Sequence, residues 1–245
     1  MRILTIANFK GGVAKTTTSI NMAYILAEKG YDTLLIDADP QGNSSYFFSQ
    51  YSDSNKTMLD VLTDKCDIKK AIKRTKYKHL DILPSNILLE SLSNVSEDAL
   101  LLKLRQVDLK YDFAVIDCQP SFQVNTINAL VAADDLIVPV KIDRFGLNGL
   151  ELMKDQLDEI HKYNENLNFI GCLVTMYRAT RSNNKGIMEL VERNQYPECN
   201  TVIRYAEAVN NSTFARKPLI KHRRLSNATV DYKALVEEYL GKVEK

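Results

Sequence analysis

Apolar runs of four to six residues recur along the chain and alternate with stretches that carry apolar residues at helical spacing. Continuous apolar strands separated by helices are typical of a parallel sheet covered on both faces. The pattern predicts an α/β fold, a doubly wound and mostly parallel sheet flanked by helices. At 245 residues, we expect one domain over residues 1–245. The predicted strands are residues 2–7, 33–37, 80–83, 113–117, 136–140, 169–174 and 200–203.

Three helical features stand out. Residues 16–29 carry apolar side chains at helical spacing, which predicts a helix directly after the first strand. Thr57 followed by Asp60 predicts a capped short helix in the otherwise irregular segment 41–78. A last helix, from about Asn227, has one apolar face. The residues of that face are Tyr232, Leu235, Val236, Tyr239, Leu240 and Val243.

The loop between the first strand and its helix, residues 10–16, reads Lys-Gly-Gly-Val-Ala-Lys-Thr. Its glycines let the backbone approach an anion, and the following helix N-terminus attracts negative charge. Lys15 is placed to reach the β- and γ-phosphates of a nucleotide, and the Thr16 hydroxyl to bind Mg²⁺. The ordinary phosphate-loop motif has glycines where this chain has Phe9 and Ala14. The expected nucleotide contacts are Lys10, Gly11, Gly12, Val13, Ala14, Lys15, Thr16 and Thr17.

Carboxylates follow two of the predicted strands, where ligands bind in doubly wound sheets. Asp37 and Asp39 come after the second strand, and Asp117 ends the run 113–117. Such carboxylates hold Mg²⁺ through water or orient an attacking water. Considered alone, each could also be a solvated turn or strand end. With the loop beside them, we predict that Thr16, Asp39 and Asp117 form the magnesium site.

The motif K-G-G-x-x-K-T that begins at Lys10 resembles the deviant Walker A box of the ParA/MinD family of ATPases. The resemblance continues through D-A-D-P-Q from Asp37, D-C-Q-P-S from Asp117 and residues 128–150, where it is nearest to the partition branch. It runs from residue 1 to about 175 and is looser beyond. Gln119 stands where the family usually has proline.

The resemblance implies a mechanism and partners. Lys10 would reach the nucleotide of the partner subunit in an ATP-sandwiched homodimer, and Asp39 would position the hydrolytic water. Lys10, Lys15 and Asp39 are therefore the expected catalytic residues, with ATP and Mg²⁺ as cofactors. The implied function is partition of a plasmid, chromosome or mobile element by a slow, cytoplasmic, nucleoid-associated ATPase. Its dimer would bind double-stranded DNA nonspecifically, and a ParB-like centromere-binding protein would stimulate hydrolysis.

Because the net charge is only +1, any binding to DNA must rest on local clusters of basic residues. The C-terminal cluster is opposed only by Glu207 along that segment, and the family binds DNA through C-terminal basic residues. Ala208, however, stands where many relatives carry a DNA-contacting arginine. The expected DNA-binding residues are Arg204, Arg216, Lys217, Lys221, Arg223 and Arg224. Seven further basic residues between Lys65 and Lys78 are expected to contribute less, and either cluster could be a solvated face.

Other functions remain open at this point. A MinD-like ATPase would bind membranes through a C-terminal amphipathic helix, but acidic residues and tyrosines in residues 231–245 favour a helix packed on the body. A metabolic P-loop ligase or reductase component and a non-hydrolysing binding module are further alternatives. The four cysteines lack metal-binding spacing, and no apolar run approaches the ~20 residues of a membrane span. We therefore expect no membrane partner.

Overall fold

The computed structural model describes residues 1–143, 155–193 and 197–244. Its centre is a seven-stranded sheet in the order β3-β4-β2-β5-β1-β6-β7. Every neighbouring pair is parallel except β3 and β4, which are antiparallel. The predicted mostly parallel α/β sheet is thereby confirmed. The strands are β1 Arg2–Ile6, β2 Thr33–Ala38, β3 Lys73–Arg74, β4 Leu80–Leu83, β5 Phe113–Cys118, β6 Asp135–Lys141 and β7 Asn168–Thr175.

Helices cover both faces of this sheet, as the doubly wound pattern predicts. Short 3₁₀ segments occur at Ile87–Ser91 and Arg105–Lys110. The described α-helices are α1 Lys15–Glu28, α2 Asn43–Phe47, α3 Met58–Leu62, α4 Ile68–Ala71, α5 Ala99–Leu104, α6 Val124–Ala132, α7 with helical residues 155–161, α8 Arg181–Arg193, α9 Glu207–Phe214, α10 Leu219–His222 and α11 Asn227–Val243.

Two hydrophobic cores lie on opposite faces of the sheet. On β2, Leu34 and Ile36 belong to the core beneath α3, α5 and α6, whereas Leu35 belongs to the core beneath α1 and α11. Successive strand residues point to opposite faces, so a strand buried on both sides must be apolar at nearly every position. Helices cover both faces of β2, and all six of its positions are buried.

The register of the sheet brings chemically important residues to one edge. Asp37 of β2 pairs directly with Asp117 of β5, and β5 pairs on its other side with β1. The loop that follows β1 therefore begins beside Asp117, and Asp37 lies one strand further along the sheet. This edge is the carboxyl end of the parallel strands, where ligands bind in doubly wound sheets.

The predicted strand at residues 200–203 is wrong. The chain runs beside β7 there, but only isolated bridges join them, one between Cys172 and Glu198 and one between Tyr177 and Arg204. Between these bridges, the backbone N–H groups of Asn200 and Thr201 donate to the carboxylate of Glu238, at 2.7 and 2.8 Å. A side chain of α11 thus takes hydrogen bonds that a strand would give to its neighbour.

The predicted last helix and the short capped helix are both confirmed. Ser226 caps α11, whose Tyr232, Tyr239 and neighbouring apolar residues are buried against the sheet. Thr57 and Asp60 form a reciprocal capping box at the start of α3. Among the described helices, none is long and apolar enough to cross a membrane.

Candidate functional site

The loop between β1 and α1 has two residues with left-handed backbone. Gly12 has a φ of 71° and Ala14, directly before α1, has a φ of 69°. Glycine adopts this conformation without steric cost, and the space around Gly12 is open. For alanine the same conformation costs about 1–2 kcal/mol. The loop therefore keeps its shape at residue 14 although the motif's glycine is missing.

Lys15 carries a positive charge into this loop. Its side chain is 7% exposed, and its Nζ donates to the backbone oxygen of Lys10 at 2.8 Å, closing the loop on itself. Burial lowers the pKa of Lys15, while the nearby carboxylates Asp117 and Asp39 favour its charged form. An ammonium group has three donors, and this is its one hydrogen bond within the described part of the chain. The remaining donors are available to phosphate oxygens.

Two polar residues that the sequence analysis missed anchor the loop. Asn8, which is buried, donates to the oxygen of Pro139 at 2.7 Å and accepts from the backbone N–H of Lys10 at 2.8 Å. Thr175, at the end of β7, donates to the oxygen of Val13 at 3.1 Å. A polar residue directly after an apolar strand was the available signal for Asn8. No local pattern marks Thr175, because its contact spans the fold.

Asp117 adjoins the first turn of α1. It is fully buried, and Ser44 donates to its Oδ2 at 2.7 Å. Burial raises the pKa of Asp117, and hydrogen bonds from Ser44 and Thr16 oppose that shift. The structure therefore brings together Thr16 and Asp117, two of the three residues predicted to form the magnesium site.

Asp37 and Asp39, which are grouped together in the sequence, face different surroundings. The Oδ2 of Asp37 accepts from the backbone N–H and the hydroxyl of Ser45, both at 2.7 Å, so Asp37 holds the first turn of α2. Burial and the neighbouring Asp117 raise the pKa of Asp37. Because its Oδ2 is used in these two hydrogen bonds, Asp37 has a structural role at the site, which is to position α2.

Asp39 instead faces a cavity of about 390 Å³ at the edge of the sheet. Its Oδ1 accepts from the backbone N–H of Gln41 at 2.9 Å, and the side chain is largely buried. Burial raises the pKa of Asp39. A carboxylate that is more basic than usual is suited to accept a proton from water.

The Lys10 side chain extends towards β6, which lies on the other side of β1 from Asp117. Its Nζ is 2.5 Å from the Oδ1 of Asp143, which follows β6. Lys141 contacts the other oxygen of Asp143 at 3.7 Å. The adjoining segment, residues 145–150, which also resembles the family, lies outside the described residues.

The C-terminal basic residues differ in their contacts. Arg204 donates through Nε and a terminal nitrogen to Asp231, an acid that lies outside the segment in which Glu207 is the only acidic residue. The Arg216 guanidinium lies 4.0 Å from the centre of the Tyr46 ring on α2. Lys221 is 4.0 Å from Glu28 at the end of α1. Lys217, Arg223 and Arg224 are exposed and form no ion pair with the residues that the structure describes.

This basic segment adjoins the phosphate loop. A cavity of about 440 Å³ is lined by Thr16 and Thr17 of α1 on one side and by Arg216 on the other. The cluster between Lys65 and Lys78 is divided between the faces of the sheet. Tyr77 contacts Tyr24 of α1, whereas Lys69 and Lys70 lie in α4 and Lys65 shortly precedes it, in the opposite layer.

The arrangement fits a nucleoside triphosphate and Mg²⁺. The left-handed loop and the buried ammonium of Lys15 match phosphate groups, and the adjacent Thr16 hydroxyl and Asp117 carboxylate are oxygen ligands of the kind that Mg²⁺ takes. When bound, the metal ion supplies positive charge that neutralises phosphate oxygens. Fold and site together define a P-loop nucleotide-binding protein.

Comparisons with known proteins narrow this class. Residues 1–169 match a family model described as an AAA domain. The chain is 34% identical to the sporulation initiation inhibitor protein Soj of Bacillus subtilis, over 97% of each chain. It is 36% identical to the chromosome partitioning protein ParA of Caulobacter vibrioides, over 74% of this chain and 72% of the relative.

A solved structure gives a similar result. Cobyrinic acid a,c-diamide synthase from Mycobacterium smegmatis, with bound ADP and magnesium, superposes with a TM-score of 0.86 at 27% identity and covers 100% of this chain and 97% of its own. The chain therefore belongs to the ParA/MinD family of P-loop ATPases, a class of enzyme whose cofactors are ATP and Mg²⁺.

Replacing Lys15 by alanine is expected to lower nucleotide affinity by roughly a hundredfold or more, because two charge-assisted hydrogen bonds to phosphate are lost. Titration with a fluorescent ATP analogue measures this. Lys29→Ala, at the other end of α1, is the matched control and should bind as the parent does. Tight binding by Lys15→Ala would contradict the assignment.

Proposed function

We propose that this chain is a ParA-type ATPase that partitions a plasmid, a chromosome or a mobile element. In this proposal, residues 1–245 act as one ATPase domain that forms a homodimer with ATP. The dimer binds double-stranded DNA nonspecifically, so the protein is cytoplasmic and associated with the nucleoid. A ParB-like centromere-binding protein stimulates hydrolysis, which is slow without it. The similarity to Soj and ParA, whose names refer to sporulation control and chromosome partitioning, supports this function.

Lys10 is the observation that carries the proposal. An ordinary P-loop enzyme has no use for a lysine at the start of the loop, since Lys15 already serves the phosphates of its own subunit. Lys10 extends to the far side of the loop, where Asp143 holds it. We propose that ATP-dependent dimerisation transfers Lys10 from Asp143 to the phosphates of the partner subunit's nucleotide.

The proposal assigns a role to each residue of the site. The backbone of residues 11–14 and the side chains of Lys15 and Thr17 bind the phosphates, and Thr16, Asp39 and Asp117 hold Mg²⁺ directly or through water. Asp39 also accepts a proton from the hydrolytic water, for which its burial and raised pKa are suited. Phosphoryl transfer asks mainly for such positioning and for compensation of phosphate charge.

A MinD-like membrane function has less support. A membrane-binding amphipathic helix needs a free apolar face. The apolar face of α11 is occupied, since Tyr232, Leu235, Val236 and Tyr239 pack into the core beneath the sheet. The proposal therefore includes no membrane partner, and co-sedimentation with liposomes in the presence of ATP distinguishes the two functions.

We expect Lys10→Ala to abolish ATP-dependent dimerisation while leaving nucleotide binding to the monomer largely intact, because Lys10 serves the other subunit. Gel filtration with Mg²⁺ and the slowly hydrolysed analogue AMPPNP measures this. Lys29→Ala is again the control and should dimerise. A Lys10→Ala protein that dimerises like the parent would favour a generic P-loop enzyme over a partition ATPase.

The proposed DNA surface centres on the C-terminal basic residues. Lys217, Arg223 and Arg224 are exposed and form no ion pair within the described residues, whereas Arg204 is engaged by Asp231 and Arg216 lies over the Tyr46 ring. Lys221 is only loosely opposed by Glu28. The proximity of Arg216 to Thr16 across one cavity suggests how nucleotide and DNA binding are linked.

The triple variant Lys217→Ala, Arg223→Ala and Arg224→Ala is expected to weaken binding to duplexes of any sequence equally and to leave dimerisation unchanged. Each lost phosphate contact reduces the slope of log affinity against log salt by about 0.9. Fluorescence anisotropy over a range of salt concentrations measures the slope.

The matched control for that experiment removes equal charge from the opposite layer, by Lys65→Ala, Lys69→Ala and Lys70→Ala. Its salt slope should fall less than that of the C-terminal variant. If the control loses DNA binding and the C-terminal variant does not, the DNA lies on the other face. If neither changes DNA binding, the proposed surface is wrong.

A further inference from the structure

Gln119, which stands where the family usually has proline, has a buried side chain that is held by hydrogen bonds. It follows Asp117 at the end of β5 and is 6% exposed. Its Nε2 donates to the Oε1 of Gln123 at 2.9 Å and to the Oδ1 of Asn125 at 2.7 Å. A primary amide nitrogen carries two hydrogens, so both donors of Gln119 are used.

The orientation of this amide follows from a backbone carbonyl. The Nδ2 of Asn125 donates to the oxygen of Ala38 at 2.7 Å, and a backbone oxygen can only accept. The Oδ1 of Asn125 therefore faces Gln119, and only an N–H group of Gln119 can pair with it. Because the amide is planar, the Oε1 of Gln119 is directed away from Asn125.

That oxygen belongs to a residue beside Asp39. Gln119 and Asp39 line the same cavity of about 390 Å³, and Ala38, to which Asn125 is bonded, directly precedes Asp39. Within the described residues the Oε1 of Gln119 accepts no hydrogen bond. Asp39 uses its Oδ1 for the N–H of Gln41, which leaves its Oδ2 to the cavity. Two residues with an unused acceptor thus border the same cavity.

We propose that Gln119 is a further catalytic residue, whose Oε1 accepts one hydrogen of the hydrolytic water while Asp39 accepts the other. This inference rests on the proposed role of Asp39. Two acceptors on the two hydrogens of a water fix the direction of its lone pairs, which in this proposal face the γ-phosphate. The acceptor oxygens of Gln123 and Asn125 hold the amide nitrogen, so that the amide oxygen is the atom presented to water.

The step balances as an ordinary phosphoryl transfer to water. The water oxygen forms a bond to the γ-phosphorus as the bond from that phosphorus to the bridging oxygen breaks. ADP leaves with the electron pair of that bond. One water proton passes to Asp39 and then to the inorganic phosphate, and the other stays on the transferred oxygen, hydrogen-bonded to Gln119 until product leaves.

Gln119→Met, which preserves length and volume but removes the amide, tests the proposal. We expect kcat for ATP hydrolysis to fall about tenfold, as loss of one water-orienting hydrogen bond implies. KM and the affinity for a fluorescent ATP analogue should stay at the parental values, whereas Tm should fall, because Asn125 and Gln123 lose a donor. Ser121→Ala, which alters the same cavity wall without touching the amide network, is the matched control and should keep the parental kcat.

Two results would overturn the role of Gln119. One is an unchanged kcat for Gln119→Met. The other is a fall in kcat accompanied by an equal loss of nucleotide affinity, which would mean that Gln119 serves only the structure of the loop. Asn125→Leu is a second variant, expected to lower kcat because it removes an acceptor that orients the amide of Gln119, and an unchanged kcat would contradict the proposal.

The Asp39→Ala variant separates this inference from the proposed function. If both residues orient one water, Gln119→Met should change the rate little in the Asp39→Ala background, because that water is already misplaced. Fully additive losses would overturn the shared water. Hydrolysis at the parental rate in Asp39→Ala alone would instead refute the proposed role of Asp39. A strong loss in Asp39→Ala with none in Gln119→Met would refute only Gln119.

Discussion

A buried positive charge is the constraint on which the site depends. Lys15 is held inside the loop with one hydrogen bond to the loop's own backbone, and burial lowers its pKa. Burying an ammonium without full compensation opposes folding. The site therefore favours a polyanion, whose oxygens supply the acceptors that the protein itself leaves out.

The neighbouring carboxylates are arranged around the same charge. The sheet register places Asp37 beside Asp117, two acids that would repel each other if both were ionised. Ser45 and Ser44 donate to them, and both side chains belong to the start of α2. This short helix thus stabilises the buried pair, while Asp39 remains free to face the cavity. The phosphate loop and the first turns of α1 and α2 are therefore held together around the charge of Lys15.

Much of this could be predicted from the sequence, because the relevant signals are local. The alternation of apolar runs with helical stretches predicted the parallel sheet, and the residues around Lys15 predicted the phosphate loop. Signals that depend on tertiary contacts were not available. Glu238 replaces a strand partner for residues 200–201, Asp231 captures Arg204, and Asn125 orients Gln119 from another element. Each pairing joins residues that no periodicity or motif connects, so only the folded chain reveals it.

The most direct test of this account is the stability of Lys15→Met in the absence of nucleotide. If the buried ammonium is maintained for phosphate at a cost to folding, removing it should raise Tm, by about 2–4 °C for each kcal/mol relieved. Adding ATP and Mg²⁺ should then raise the Tm of the parent but not that of the variant. Two results would contradict the claim that the loop is built around this charge. One is a lower Tm for Lys15→Met than for the parent without nucleotide, and the other is an ATP-induced rise in the Tm of Lys15→Met as large as that of the parent.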